Sequence, residues 1–137
     1  MALRLADIRS GSLAYLDHAL LLAEPDVYKG SETIDRPGPF LCLQVKDGQS
    51  AWVPLTSEWR VERLAIDPKW RKEGSQLWKT QDQYVSDGLK TYVGPNEAFV
   101  RAGANENPFK MYRRPYITQV GVEAAIAEVR AQGGRLL

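Results

Sequence analysis

Two short apolar runs separated by Asp47-Gly48 constrain this chain more than any other feature. Residues 39–45 and 50–55 are both rich in strand-forming side chains, and Asp-Gly is a strong signal for a tight hairpin turn. The spacing therefore predicts two adjacent antiparallel strands. Pro54 lies in the second run, and it cannot donate a ladder hydrogen bond. That marks an edge or the end of the strand.

The rest of the chain is punctuated at short intervals. Residues 2–9 fit a short helix or strand. Leu13, Leu16, Leu20 and Ala23 fit a helical face, yet the run after Asp17 is short and stops at Pro25, which favours a strand over about 18–24. Residues 25–37 form a loop with Pro25, Gly30 and Pro37. Further short strands are expected within 60–66 and 97–101, at 114–118, and as strands or turns at 82–85 and 89–93 around Asp87-Gly88. Asp67-Pro68 and Gly94-Pro95-Asn96 are turns, and 103–108 is a loop. The clearest helix is the last element, 119–132. There Val122, Ile126 and Val129 recur at helical spacing among alanines, and Gly133-Gly134 is a stop signal. One amphipathic helix after several short strands predicts an α+β chain, mainly β: a small, strongly bent β-barrel closed by a C-terminal helix.

At 137 residues the chain is read as one domain, long enough to bury a core without disulfides or metal. Residues 1–17 are a candidate N-terminal extension, 18–118 the barrel and 119–132 the helix. Cys42 is the only cysteine, which excludes an intrachain disulfide and suits a reducing compartment; within an apolar run it reads as buried and inert. The N-terminus lacks the uninterrupted apolar stretch of a signal peptide, and no segment approaches the roughly 20 apolar residues of a membrane span. The expected location is cytoplasmic, with no membrane partner. Net charge is +1, from 18 basic and 17 acidic residues, so any grip on a polyanion must come from a local patch.

Chemistry concentrates around the predicted hairpin. Arg36 precedes the first strand, and Thr56-Ser57 ends the second. Antiparallel pairing puts those ends side by side, where a guanidinium and hydroxyls can hold a phosphate. His18 is the only histidine, which excludes a two-histidine acid–base pair within one chain, and no Gly-x-Ser-x-Gly elbow is present. One cysteine, one histidine and scattered carboxylates give no spacing typical of a metal site. Residues 58–80 hold Trp59, Trp70 and Trp78 among basic side chains. Such a segment either stacks and grips a single strand or supplies core and interface anchors, and the packing reading is favoured. The run 110–116 (Lys-Met-Tyr-Arg-Arg-Pro-Tyr) is a second aromatic and basic cluster.

The pattern Gly30-Ser31-Glu32, Arg36-Pro37, Phe40 to Leu43, then Val53-Pro54-Leu55-Thr56-Ser57, resembles the PemK/MazF family of toxin ribonucleases. The resemblance is confined to residues 30–57. It implies an SH3-like barrel with a C-terminal helix, metal- and cofactor-free cleavage of single-stranded RNA, a homodimer, and inhibition by an antitoxin protein. On this pattern Arg36 and Thr56 are the expected catalytic residues and Glu32 and Ser57 expected substrate-binding ones; Trp59 and Arg60, from the aromatic and basic segment that follows, join the expected substrate-binding set. Two other readings stay open. One is a non-enzymatic barrel of phage or mobile-element type that engages a protein through its Trp-rich face. The other is a barrel that binds nucleic acid without cutting it.

Overall fold

The computed structural model describes residues 2–30, 36–106 and 113–137. In chain order they form β1 (Leu13–Leu16), α1 (His18–Ala23), β2 (Tyr28–Lys29), β3 (Gly38–Lys46), β4 (Gln49–Thr56), β5 (Arg71–Lys72), α2 (Gln76–Thr80), β6 (Tyr84–Val85), β7 (Tyr92–Pro95), α3 (Asn96–Ala102), β8 (Tyr116–Ile117) and α4 (Gln119–Gln132). Short 3-10 turns lie at Leu5–Asp7, Pro68–Trp70 and Gly88–Lys90.

The β3–β4 hairpin is the centre of the molecule. Asp47 and Gly48 both take positive φ, 52° and 76°. This is the backbone a two-residue turn needs to match strand twist, and it is the reason Asp-Gly suits the position. The register runs Phe40 opposite Pro54, Leu41 opposite Val53 and Cys42 opposite Trp52, and it shifts between Cys42 and Gln44. β1 flanks β3, β7 flanks β4, and β2 lies outside β7, all antiparallel. β6 pairs with β4 at Leu55 and Thr56. Pro54 therefore falls between two partners on that side, since β7 stops at Trp52 and β6 begins at Leu55. A residue without an N–H is tolerated at such a break.

Both faces of this six-strand sheet are covered, which is why β3 and β4 read as continuous apolar runs. Phe40, Cys42 and Trp52 point to one side, where Leu21 of α1 and Ala98, Phe99 and Ala102 of α3 complete a core. Leu41, Leu43, Val53 and Leu55 point to the other, against Ile66, Trp78, Ile117 and the Val122, Ala125 and Val129 face of α4. The rings of Phe40 and Tyr92 meet edge to face at 5.4 Å. α4 ends as expected at Gly133, whose N–H donates to the Arg130 carbonyl at 3.1 Å.

Several expectations are corrected. His18–Ala23, within the expected strand 18–24, is helical, because the Asp17 carboxylate accepts hydrogen bonds from the backbone N–H groups of Ala19 (2.9 Å) and Leu20 (3.4 Å) and so caps a helix start. Residues 97–101 lie in α3: Ala98, Phe99 and Ala102 bury one helical face against the sheet. Within 60–66 there is only an isolated bridge, Ala65 to Tyr84. The N-terminal stretch is no appendage: β1 pairs with β3, and Leu3 and Ile8 are buried in the first core. Nor does the sheet form a closed barrel among the described residues. Its strand order β1-β3-β4-β7-β2 is open, and β5 and β8 make a separate two-stranded sheet that touches β1's end through the bridge Ser12 to Tyr116. No helix among the described residues is long and apolar enough to cross a membrane.

Candidate functional site

Antiparallel pairing sets the first strand's entrance against the second strand's exit. With Phe40 opposite Pro54, the segment from Arg36 to Pro39 runs beside Leu55, Thr56 and Ser57. Together they line a cleft of about 680 Å³. Arg36, Thr56, Ser57 and Arg60 all face it, so four of the sequence-identified residues converge on one concavity. Glu32 lies outside the described residues. Trp59 is not on the cleft wall; it is 65% exposed beside Glu58 and Arg60, which are.

The cleft's charge is lopsided. Arg36, Arg60, Arg63 and Lys90 face one carboxylate, Glu58. Glu58 lies 3.6 Å from the Arg60 guanidinium and 4.0 Å from that of Arg63. Arg63 is clamped: its Nε donates to the Ser86 carbonyl at 2.9 Å and its Nη1 to the Glu58 carbonyl at 2.8 Å. Arg36 also has an interaction partner already, so an arriving anion must share its fork. The Thr56 hydroxyl oxygen accepts from the Glu58 N–H at 3.2 Å, the turn-capping role common at a strand end. Its own hydrogen is not used in that bond and can donate to a ligand.

Sequence reasoning missed Glu58, Arg63, Lys90, Gln81 and Gln83. They reach the cleft from the loop after β4, from beside β6 and from the Gly88–Lys90 turn. Glu58 had a local signal as the next residue after Thr56-Ser57, and Arg63 lay within the aromatic and basic segment 58–80. Gly30, which begins the motif, has a packing role: a Cβ there would sit 2.0 Å from the Leu89 carbonyl oxygen.

Two other arginines are built into the scaffold, and Lys110, Met111 and Tyr112 of the second aromatic and basic run lie outside the described residues. The Arg71 guanidinium is buried and donates to the carbonyls of Ile66 (2.6 Å from Nη2), Trp78 (3.0 Å from Nη1) and Gln81, while lying 5.3 Å over the Trp78 ring. Burial pulls its pKa down, against the pull of Asp82 and Asp67. Trp78 is buried and Trp70 packs on the second core, so packing holds for these two tryptophans but not for Trp59. A second cleft, of about 440 Å³, contains Arg114. This arginine pairs with Glu106 and with Asp7 (3.7 Å), and donates to the Leu13 carbonyl at 3.0 Å.

His18 does not line the cleft; its Nδ1 lies 4.0 Å from the neighbouring Asp17. Cys42 is fully buried, and that burial pushes its thiol well above the ordinary range, which leaves it protonated and unreactive. No group of three or more metal-ligating side chains occurs among the described residues. Comparison with family models, with curated proteins and with solved structures finds no match to this chain.

Proposed function

We propose that the chain is a metal-independent endoribonuclease that cleaves single-stranded RNA in the Arg36–Thr56 cleft. The observation that carries this reading is the excess of cations in one concavity of a nearly neutral protein, at the place where a phosphate-holding arginine and a hydroxyl meet. In the reaction the RNA 2′-oxygen attacks the adjacent phosphorus. The 2′-O–P bond forms, the P–O5′ bond breaks, and a 2′,3′-cyclic phosphate and a 5′-hydroxyl result. The protein supplies no nucleophile. It must stabilise the phosphoryl oxygens as charge builds on them, accept the 2′-hydroxyl proton and deliver one to the leaving 5′-oxygen. Arg36 serves the first task with its planar fork. Thr56 donates to a phosphate oxygen, with Ser57 beside it. Glu58, the one carboxylate on the described cleft wall, is the group able to accept the 2′ proton. Trp59 and Arg60 at the rim offer a stacking face and a charge for a flanking nucleotide.

The fold part of the proposal is an SH3-like arrangement. Neighbouring segments nearly encircle the second core: β3, β4, β6, the bridge at Ala65, then β5, β8, Ser12 and back to β3 through the Cys42 N–H to Ser12 carbonyl bond of 2.9 Å. The ring is interrupted between Ile66 and Arg71, where the chain itself spans the gap. A cytoplasmic homodimer held in check by an antitoxin protein completes the reading implied by the family pattern.

The test is incubation of purified protein with a long unstructured RNA in excess chelator. Cleavage with cyclic-phosphate ends is expected, and Arg36→Ala lowers it by about 10²- to 10³-fold. A folded wild-type protein that leaves the RNA intact sinks the enzymatic reading. Loss of a captured protein complex in Trp59→Ala, with Arg36→Ala neutral, instead supports the non-enzymatic binding module.

A further inference from the structure

We infer that Lys90 is a second anion contact in this cleft, holding a phosphate next to the one at Arg36; the inference rests on the polyanion reading of the site. Lys90 closes the 3-10 turn Gly88–Lys90, and this turn is firmly seated. The Asp87 carboxylate accepts from the Leu89 N–H at 2.8 Å, and the Lys90 N–H donates to the Asp87 carbonyl at 3.0 Å. The Gly88 N–H donates to Oε1 of Gln132 at 2.8 Å, which ties the turn to the last residue of α4. On its other side Gly30 packs directly on Leu89 and Lys90. Arg36 and Lys90 line the same cleft.

Charge bookkeeping distinguishes Lys90 from its neighbours. Glu58 is shared between Arg60 and Arg63, and the Arg63 fork is also bound to two backbone carbonyls. Lys90 makes no ion pair among the described residues, so no carboxylate there competes for its ammonium group. A compact charge with three rotating donors on a flexible stem suits a phosphodiester whose exact position varies along a strand. A cleft lined by a guanidinium and an ammonium group can engage two successive phosphates.

The test uses a 5′-labelled 2′-O-methyl oligonucleotide of about 12 residues, within the span such clefts cover. It cannot be cleaved, because it has no free 2′-hydroxyl. Affinity is measured by fluorescence anisotropy across a salt series. Lys90→Gln is expected to weaken binding several-fold and to flatten the slope of log K against log salt by about 0.7, the value of one released counterion on a single strand. Lys90→Arg restores the slope, whereas a purely structural lysine would lower affinity without changing it. A Lys90→Gln protein with the wild-type slope overturns the inference and leaves the cleft reading standing. Absence of wild-type binding overturns the cleft reading itself, and this inference with it.

Discussion

The two clefts both contain arginine, and they differ in what already surrounds the charge. Arg114 is 11% exposed and has two carboxylates, Asp7 and Glu106, plus a backbone carbonyl around it. Glu106 is almost fully buried and also accepts from the Tyr15 N–H at 2.8 Å, so the cluster joins β1 to the segment before β8. The Arg36 cleft is lined by four cations and one carboxylate, Glu58, which is 66% exposed and lies near Arg60 and Arg63. A buried, matched cation is part of the scaffold; a surplus of cations in an open cleft is available to a ligand. Arginine in a concavity is therefore no indicator of function until its counter-charges are counted.

The largest expected effect breaks the scaffold side of this comparison. Glu106→Ala removes the more buried of the two carboxylates at Arg114 and leaves only Asp7 at 3.7 Å, and stability should fall by about 3 kcal/mol. Urea unfolding measures it, and a change under about 1 kcal/mol would place Arg114 with the solvated surface pairs instead. Next comes Glu58→Gln, which increases the cation surplus while removing the proposed proton acceptor. Cleavage should drop about 10²-fold while affinity for the uncleavable oligonucleotide rises. If both rise together, Glu58 is only a counter-charge.

The smallest effect concerns pH. Partial burial opposes ionisation of Asp7, but hydrogen bonds from Arg4 and the charge of Arg114 outweigh it, and its carboxylate is held below the ordinary range. Such a group favours folding above its unfolded value of about 3.9, and that contribution drains away as pH falls through the lower folded value. Asp7→Asn should therefore be less stable than wild type at neutral pH and lose less as pH falls below about 4. Glu24, held low chiefly by its hydrogen bond with Arg101, titrates alike in both proteins and serves as the internal reference. Parallel curves would show that the Asp7 pair contributes nothing to acid sensitivity.

Local chemistry carried the parts of the fold that were legible in advance. Asp47-Gly48 needs a backbone few other pairs accept, and the alanine-rich face of residues 122–129 has one way to be buried; both elements stand where the spacing put them. The segments at 18–24 and 97–101 were misread because short apolar runs have no decisive period. Asp17's capping bonds and the seat of Phe99 against Trp52, 5.4 Å apart, decided for helix. In the cleft, Arg36, Thr56, Ser57 and Arg60 were visible because hairpin pairing makes their neighbourhood a local matter. Arg63, Lys90 and the glutamines come from segments that no short-range pattern joins to the hairpin.

The amino-acid sequence by itself determined the hairpin, the terminal helix and the presence of an arginine and a threonine on one cleft at a sheet end, since turn geometry and strand register act over a few residues. The tertiary structure alone decided which cations are matched and which are not. Arg71 and Arg114 look no different from Arg36 and Lys90 along the chain. Only packing brings carbonyls and carboxylates to the first two, and places the others on the wall of an open cleft.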